Sequence, residues 1–315
     1  MFTRNHGRAL RMSLFLCLLC ALLVVGAGYL WGARGMADRL AEGDPVRGSY
    51  QQDPERADRT ASTVLDGMAR EVPEPPVDGS AFGDSDPLVN WRSAGWQPSD
   101  PLEARPTAAE PAIGALFSPG PDGDPDHHCS AGVVDSPHGA LVVTAAHCVH
   151  RGGFRTNLAF APGYQDGVAP YGIWVPTRID VDPRWSEDQD PDHDLAFLRM
   201  RRPGHPGQRL EDVTGARAIR FGPRAPLPAR LVGYPNDAEQ PLECRTTARA
   251  AGPAQLRLDC AGVPEGTSGG PVLTEEHVLI GVIGGRDGGG DDLTSYSSYF
   301  GDRARTLYER AAASS

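Results

Sequence analysis

Three short motifs hold the residues of this chain that could do chemistry. The stretch VTAAHCV places His147 after an apolar run, HDLAFLR places Asp194 at the start of another, and GTSGGPV places Ser268 in a glycine-rich turn. A serine hydroxyl is a weak nucleophile until an imidazole accepts its proton, and a carboxylate must hold that imidazole in one tautomer. Each motif alone also fits a structural role. In the order His, Asp, Ser, with separations of 47 and 74 residues, they together predict acyl transfer at an activated serine.

The small residues around Ser268 would contribute to the same chemistry. A tight turn there can direct the backbone N–H groups of Gly266 and Ser268 to one point, which would form an oxyanion hole. Each donor of this kind stabilises the transition state by about 3–4 kcal/mol. The turn is therefore predicted to supply both the nucleophile and the donors for the negative charge that develops.

Short apolar or alternating runs must position these motifs. Beyond residue 110, about a dozen such runs are separated by Gly, Pro and Asp, which predicts an all-β sandwich or pair of barrels rather than alternating β and α. A final segment from Asp302 to Ala312 predicts a helix, with Asp302 as its N-cap. The runs are AIGALF from position 112, SAGVV from 130, ALVVTA from 140, NLAFA from 157, YGIWVPTRIDV from 171, DLAFLRM from 194, ARLVGY from 229, LECRTTARA from 242, QLRLDC from 255, GPVLTE from 270, HVLIGVIGG from 277 and SYSSYF from 295.

The region from about Ala112 to Ala312 resembles the trypsin-like (chymotrypsin-fold) serine peptidases, through TAAHC, DLAFLR and SGGP. The resemblance implies two six-stranded antiparallel β-barrels with the site between them, a C-terminal helix, and hydrolysis of protein or peptide substrates through an acyl-enzyme. It implies that His147 is the general base and then acid, Asp194 its orienting partner and Ser268 the nucleophile. The GYP at 233–235 and the 74-residue spacing are more similar to the bacterial glutamyl-endopeptidase branch than to the digestive enzymes.

Four cysteines outside the N-terminal apolar stretch predict two disulfides in an oxidising compartment, and by themselves they allow three pairings. The resemblance implies that Cys129 pairs with Cys148, because they bracket the histidine motif as a family disulfide does. Cys244 then pairs with Cys260.

Thr267 departs from the family pattern, since the digestive enzymes have an aspartate before the nucleophile. That aspartate pairs with a new N-terminus after zymogen cleavage, and threonine has no charge to do so. The segment ahead of the first strand also lacks the usual activation sequence and reads EPAIGALF. We therefore expect an oxyanion loop held by local hydrogen bonds, formed without a propeptide cut.

The substrate pocket departs from the family pattern as well. Gly262 stands where enzymes that select basic side chains have an aspartate, and Gly284, Gly285 and Arg286 replace the usual Ser-Trp-Gly wall. Arg286 could attract an acidic side chain, or it could be a surface arginine neutralised by the nearby Asp287, Asp291 and Asp292. The sequence assigns no preferred residue.

The N-terminal third divides into three parts. Residues 1–11 read as a cytoplasmic tail, and the 21 uncharged residues 12–32 are long enough for a membrane helix, although they can also be read as a cleaved signal peptide. Residues 33–108, rich in Pro and acidic residues, predict a largely disordered linker, and 109–315 form the peptidase-like domain. This places the domain outside a cell membrane or in a secreted protein, and the Ala, Gly, Pro and Arg bias is typical of a GC-rich bacterial genome.

Composition excludes several functions. The net charge of −11 argues against a nucleic-acid partner, and the 30 basic residues are all arginine, which rules out a Walker A lysine, a Schiff base and a Ser/Lys dyad. The DHHC tetrad at 126–129 matches zinc-containing acyltransferases by letters only, since the chain lacks their cysteine-rich module and several membrane spans. His127, His128 and Cys129 are adjacent and cannot all converge on one zinc ion. No cofactor or metal is predicted, although calcium at the acidic stretches 182–192 or 287–292 stays open beside simple surface charge.

Two functions remain in competition at this stage. The first is an active serine endopeptidase, and the second is a binding or regulatory module that keeps the fold without turnover. The complete set of His, Asp and Ser favours the enzyme, while the altered pocket wall keeps the module open.

Overall fold

Two antiparallel sheets form the frame of the computed structural model, which describes residues 39–68, 96–120 and 127–313. Contacts divide the chain into residues 1–41 and 42–315. Of the first unit only residues 39–41 are described, and Leu40–Ala41 form a two-residue strand, β1. Within the described residues no helix is long and apolar enough to span a membrane. The predicted tail at 1–11 and membrane segment at 12–32 lie outside the described residues.

The first sheet has seven strands in the order β2-β9-β10-β6-β5-β4-β8, and every neighbouring pair is antiparallel. It curls until Phe160 in β8 and Trp174 just before β9 meet in a single bridge. The strands are β2 Ser49–Gln51, β4 Ile113–Phe117, β5 His127–Val134, β6 Leu141–Thr144, β8 Ala159–Pro162, β9 Val175–Val181 and β10 Ala196–Arg201, and the short strand β7, Phe154–Arg155, lies between β6 and β8 in the chain.

The second sheet closes into a six-stranded barrel, because β11 pairs with both β14 and β12. Its order is β11-β14-β15-β16-β13-β12, and β3 adds a seventh strand to the outside of β12. The strands are β3 Arg105–Pro106, β11 Leu227–Gly233, β12 Leu242–Ala250, β13 Gln255–Asp259, β14 Pro271–Leu273, β15 Leu279–Ile283 and β16 Thr294–Tyr299.

Alternation along the chain explains why these segments are strands. In β12 the side chains of Cys244, Thr246 and Ala248 are buried while the intervening Arg245 and Thr247 are not, which is the period of two expected of a sheet with one wet face. In β6 all four residues are buried, as is typical of a strand covered on both faces. All twelve predicted runs correspond to strands.

Within residues 39–68, 96–120 and 127–313 the fold also contains five α-helices and two 3₁₀ turns. The C-terminal helix α5 was predicted to span 302–312, and it spans Asp302–Ala313, where Arg199 of β10 donates hydrogen bonds to its last carbonyls. The other helices are α1 Pro54–Asp66, α2 Ala146–Val149, α3 Pro183–Asp188 and α4 Leu210–Thr214, and the 3₁₀ turns are Pro191–His193 and Arg286–Gly289.

The predicted disordered linker at 33–108 contains regular secondary structure, above all helix α1. Asp53 caps α1 by accepting a hydrogen bond from the Arg56 amide at 2.8 Å, a contact that contributes about 1 kcal/mol. The helix buries Ala57, Ala61 and Val64 at helical spacing. The prediction of disorder is therefore wrong for this segment. It was made because the apolar face of the helix consists mainly of small side chains, so its composition differs little from that of a linker.

Candidate active site

One carboxylate fixes His147 in two ways. The Nδ1–H of the His147 ring donates to Oδ2 of Asp194 at 2.7 Å, and the His147 backbone N–H donates to Oδ1 at 2.8 Å. His147 lies on the one-turn helix α2 directly after β6, and Asp194 follows the 3₁₀ turn Pro191–His193. Because Nδ1 carries the proton, the Nε2 lone pair is left to accept one.

Asp194 is almost fully buried, at 1% exposure, and is held by the second sheet. The Gly285 backbone N–H donates to its Oδ2 at 2.8 Å, and the Ser298 hydroxyl donates to its backbone carbonyl at 2.9 Å. A Cβ atom on Gly284 would come within 2.8 Å of the same carboxylate. Gly284 and Gly285, which the sequence placed in the wall of the substrate pocket, therefore cover the back of Asp194.

Glycines on both sides of Ser268 allow a close approach between the two sheets. Gly266 has a φ of +93° and Gly269 a φ of +81°, both in the left-handed region that favours glycine. A Cβ on Gly269 would overlap the Thr144 hydroxyl at the end of β6, and a Cβ on Gly266 would overlap the Asn236 amide. The GTSGG sequence is thus required for the Ser268 turn to lie against the strand that leads into the His147 helix.

The two backbone amides predicted for an oxyanion hole have no hydrogen-bond acceptor in the described part of the chain. Neither the Gly266 nor the Ser268 N–H donates a hydrogen bond to another described residue. The carbonyls of the same residues are engaged, since the Ser130 hydroxyl donates to Gly266 O at 3.0 Å and the Ser130 N–H donates to Ser268 O at 2.7 Å. The carbonyls of the turn are therefore occupied, while its two N–H groups can still donate to a ligand.

Ser130 was not identified from the sequence, yet it connects both sheets at the site. It is fully buried in β5 and accepts a hydrogen bond from the Tyr234 amide at 2.7 Å besides donating to Gly266. Its own carbonyl accepts from the Thr144 hydroxyl at 2.8 Å. Its partners lie more than 100 residues away in the chain, apart from Thr144, so no local pattern could have indicated it.

Thr267 is held locally, as expected. Its side chain is buried, and its hydroxyl donates to the Pro264 carbonyl at 2.7 Å. The Gly270 N–H donates back to the Thr267 carbonyl at 2.9 Å. The position where the digestive enzymes have a charged residue is therefore filled by a neutral group with a neighbouring partner.

His147 and Ser268 both line one cavity of about 600 Å³. Val263, Pro264, Ile283 and Ser295 also line it. The predicted pocket residues Gly262, Gly284, Gly285 and Arg286 do not line it. Gly262 instead lies near Glu103, and the Arg286 guanidinium faces Asp192 at 3.8 Å.

Both predicted disulfides are present, Cys129–Cys148 and Cys244–Cys260. The first lies beside His147, close enough for the three residues to resemble a metal site, but sulfurs joined in a disulfide are not thiolate ligands. It also removes the free thiol that an acyl-carrying DHHC motif would need.

The two histidines of that motif are structural. His127 Nε2 lies 3.1 Å from the Ala238 carbonyl, and His128 Nε2 lies 2.9 Å from the Cys148 carbonyl. Burial, and to a smaller extent the nearby Arg155 guanidinium, lower the pKa of His128 to about 3. A neutral His128 ring therefore donates to Cys148 O at the edge of the cavity.

The acidic stretch 182–192 serves as caps rather than converging on one point. Asp182 accepts from the Arg184 amide at 2.9 Å, Asp190 accepts from the Asp192 amide at 3.0 Å, and Asp192 faces Arg286. Asp182 and Asp190 are therefore satisfied by local amides, whereas Asp192 Oδ1 is buried without a hydrogen bond among the described residues and has only the longer contact with Arg286.

Comparisons with known proteins agree on one family. The family model described as "Trypsin-like peptidase domain" matches residues 129–282. Protease Anisep from Arthrobacter nicotinovorans is 27% identical with a TM-score of 0.59, over 67% of this chain and 100% of that one. The thermostable serine protease AL20 from an extremophilic microorganism is 26% identical with a TM-score of 0.57, over 65% and 99%.

The fold likeness extends to a Glu endopeptidase in complex with MPD, which is 17% identical with a TM-score of 0.55 over 67% of this chain and 97% of that one. At this identity the likeness concerns the fold alone. The comparison with curated proteins gave no match.

Proposed function

The chain belongs to the trypsin-like serine peptidase family and is a serine endopeptidase, and from this premise we propose that His147, Asp194 and Ser268 are its catalytic triad. The observation that carries the assignment is the double hydrogen bond from His147 to the buried Asp194 carboxylate, beside a cavity that Ser268 also lines. The chain order His, Asp, Ser is that of the family.

In the proposed reaction, His147 Nε2 takes the proton of the Ser268 hydroxyl as its oxygen attacks the scissile carbonyl. The oxygen of the tetrahedral intermediate binds the N–H groups of Gly266 and Ser268, which have no competing acceptor among the described residues. His147 then gives the proton to the leaving amine, and water hydrolyses the acyl-enzyme by the same steps in reverse roles. Asp194 stabilises the imidazolium that forms between these transfers.

We also propose that the enzyme is active without a propeptide cut. The Thr267 hydroxyl and the Ser130 hydroxyl hold the oxyanion turn through contacts to Pro264 and Gly266. Neither contact needs a newly formed N-terminus.

An extracytoplasmic site of action is part of the same proposal. Two disulfides, one of them beside the catalytic histidine, favour an oxidising compartment. The uncharged residues 12–32 would provide either an anchor or an export signal.

The test is labelling of the full-length chain, freshly folded and uncut, with a fluorophosphonate probe. We expect one labelled peptide that contains Ser268, no label in Ser268→Ala, and unchanged labelling in Ser62→Ala, a control at an exposed serine of α1. Absence of label in protein that melts cooperatively would refute the triad or the activation-free state. Addition of a trace protease would separate the two, because label that appears only after a cut would retain the triad.

A further inference from the structure

Two side chains of the second sheet hold the short turn that leads to Asp194. Gln255 of β13 donates from its Nε2 to the Pro191 carbonyl at 2.8 Å, at the start of the first 3₁₀ turn. Ser298 of β16 donates from its hydroxyl to the Asp194 carbonyl at 2.9 Å, just after the same turn. The segment 191–194, which leads into β10 of the first sheet, is therefore bound at both of its ends by the second sheet.

The two donors are neighbours in the barrel. Gln255 and Ser298 lie directly opposite each other in the antiparallel pairing of β13 with β16. Side chains at opposed positions of such a pair lie on the same face of the sheet, with their Cβ atoms about 5 Å apart. Both residues are almost fully buried, at 1% and 2% exposure. They form one buried polar unit, the Gln255–Ser298 pair, on the face that meets the segment before β10.

The other half of the Gln255 amide holds the segment that covers the Asp194 carboxylate. Its Oε1 accepts the Arg286 backbone N–H at 3.4 Å, and the preceding Gly285 N–H donates to Asp194 Oδ2 at 2.8 Å. A rotated amide would place its oxygen against the Pro191 carbonyl and its NH₂ against the Arg286 N–H, so the two contacts favour one orientation. One side chain therefore joins the turn before Asp194 to the segment behind its carboxylate.

Gly285 provides the space for this amide. A Cβ atom at Gly285 would overlap the amide group of Gln255, and the Gly285 φ of +89° also favours glycine. The glycine in the middle of the altered pocket wall thus has a reason that does not involve substrate. It allows a buried glutamine to reach past this segment to the turn that precedes Asp194.

The Gln255–Ser298 pair is placed to act on geometry and not on substrate. Neither residue is among the described residues that line the cavity beside Ser268. The Asp194 carboxylate, in contrast, orients His147 through contacts of 2.7 and 2.8 Å. A displacement of about 1 Å at such a position can lower the rate by a factor of about 10². An effect of the pair on turnover is therefore expected to pass through Asp194.

Resting on the proposed function, we propose that Gln255, together with Ser298, is a positioning residue for the Asp194 carboxylate. The pair binds the segment 191–194 to the second sheet, and Gln255 also fixes the segment around Gly285 behind the carboxylate. The distance between Asp194 and His147 is in this way set by side chains of the opposite sheet.

The test compares Gln255→Met, which keeps the length of the side chain and removes both hydrogen bonds, with Ser298→Ala, which removes one. Kinetics of the full-length chain use a fluorogenic peptide selected from a random mixture, with active enzyme counted by the fluorophosphonate probe. We expect kcat to fall about tenfold in Gln255→Met and severalfold in Ser298→Ala. The KM of Ser298→Ala should stay within about twofold of that of the unaltered chain, because Ser298 does not line the cavity.

The matched control is Thr246→Val in β12. Thr246 is 3% exposed and its hydroxyl donates to the Asp259 carbonyl at 2.8 Å, so this variant also removes one buried hydrogen bond from the same barrel. We expect it to lower the urea midpoint of unfolding about as much as Ser298→Ala does, and to keep kcat within about twofold. Losses of kcat that merely follow the loss of stability in all three variants would overturn the positioning role.

The pH profile gives a readout that general destabilisation does not move. A carboxylate beside an imidazolium favours the protonated form, so His147 should protonate at lower pH when Asp194 is displaced. We expect the acid limb of kcat/KM to move to lower pH by about 0.5 unit in Gln255→Met and to stay in place in Thr246→Val. An unshifted acid limb in Gln255→Met would overturn the proposal.

Asp194→Asn separates failure of this proposal from failure of the proposed function. With the triad as proposed, Asp194→Asn lowers the rate at which the fluorophosphonate labels Ser268 by more than about a hundredfold. Adding Gln255→Met should then change the rate by no more than about twofold, because the carboxylate that it positions is already lost. A further tenfold loss in the double variant would overturn the positioning role and leave the triad intact. Unchanged labelling in Asp194→Asn would overturn the triad itself, and the positioning role with it.

Discussion

The carboxylate of Asp194 binds both the ring and the backbone of His147, at 2.7 and 2.8 Å, so a single side chain sets the tautomer of the imidazole and the position of the helix that bears it. Its Oδ2 also accepts the Gly285 amide at 2.8 Å. Three N–H donors around one carboxylate leave little freedom for it to rotate.

Asp194→Asn should reduce kcat by about 10⁴-fold with a much smaller change in KM, because an amide favours the wrong imidazole tautomer. In either orientation its NH₂ group would also face an N–H donor. Steady-state kinetics with a single peptide substrate measure the effect. A loss below tenfold in a folded variant would contradict the role of Asp194.

Gly284→Ala should lower kcat by at least about tenfold, because its Cβ would come within 2.8 Å of Asp194 Oδ2 and 3.2 Å of Ala145 Cβ. Gly284 has a φ of +150°, so backbone strain adds to the contact. Gly204→Ala is the control, since Gly204 also has a positive φ but a Cβ there meets open space. Equal losses of activity in both variants would exclude a specific effect on the carboxylate.

Thr267→Val should lower kcat and destabilise the fold by about 1–2 kcal/mol, because it removes the hydroxyl that donates to Pro264 O while keeping the shape. Thr267→Ser should restore most of both quantities. The check combines kinetics with the urea midpoint of unfolding. If valine were tolerated and serine gave no advantage, the hydroxyl would not hold the oxyanion turn.

Glu110→Gln should destabilise the protein at pH 7 by about 3 kcal/mol, since it removes the charge of a carboxylate that contacts the 2%-exposed Arg230. Burial would raise the pKa of Glu110, but Arg230 and Arg217 outweigh it and lower the pKa below the usual 4.5. A carboxyl group whose pKa is lower in the folded state than in the unfolded state stabilises the fold above the unfolded value of about 4.5. This contribution is lost as the pH falls through the folded pKa.

Urea unfolding across pH 3–7 tests this, with Glu275→Gln as an exposed control. The difference in free energy of unfolding between the unaltered chain and Glu110→Gln should be full near neutral pH and shrink below about 4.5. A difference that does not depend on pH would contradict the assigned ionisation.

On acidification the protein should begin to lose stability at a pH well above the range in which carboxylates titrate, because burial lowers the pKa of His128 to about 3. The unfolded chain takes up this proton near pH 6.5 and the folded chain does not. The free energy of unfolding therefore falls between about pH 6.5 and 3, by at most about 1.4 kcal/mol per pH unit for this residue. His150, whose pKa burial also lowers, contributes in the same window.

His128→Gln, which cannot titrate, should flatten the melting temperature between pH 6.5 and 4.5. His138→Gln, at an exposed histidine, should leave the profile as it was. An identical acid slope in both variants would show that His128 is not responsible.

Much of this molecule could be predicted from local patterns. Alternating apolar runs gave the twelve main strands, and the three motifs placed His147 and Asp194 correctly beside each other. Ser130 and Ser298 could not be found in this way, since their contacts join residues 104 or more positions apart. Serines at such positions look like any polar residue in a strand.

The acidic loop 287–292 shows a different limit. Neighbours in sequence suggested that its aspartates neutralise Arg286, but the arginine pairs with Asp192, 94 residues earlier in the chain. Charge balance within a loop says little when side chains can reach another segment. The N-terminal helix α1 was missed for a third reason, because its apolar face consists mainly of alanine.

Strand β2 has a practical consequence for handling the protein. Its residues Ser49 to Gln51 pair with the outer side of β9, where the sheet would otherwise end. A chain cut at the apparent domain boundary near residue 109 would keep every residue of the proposed triad, yet it would expose an unpaired row of amides and carbonyls next to the surface that Ala57, Ala61 and Val64 cover. Such a fragment would tend to self-associate through that edge, and loss of activity on truncation would then reflect aggregation rather than a missing catalytic residue.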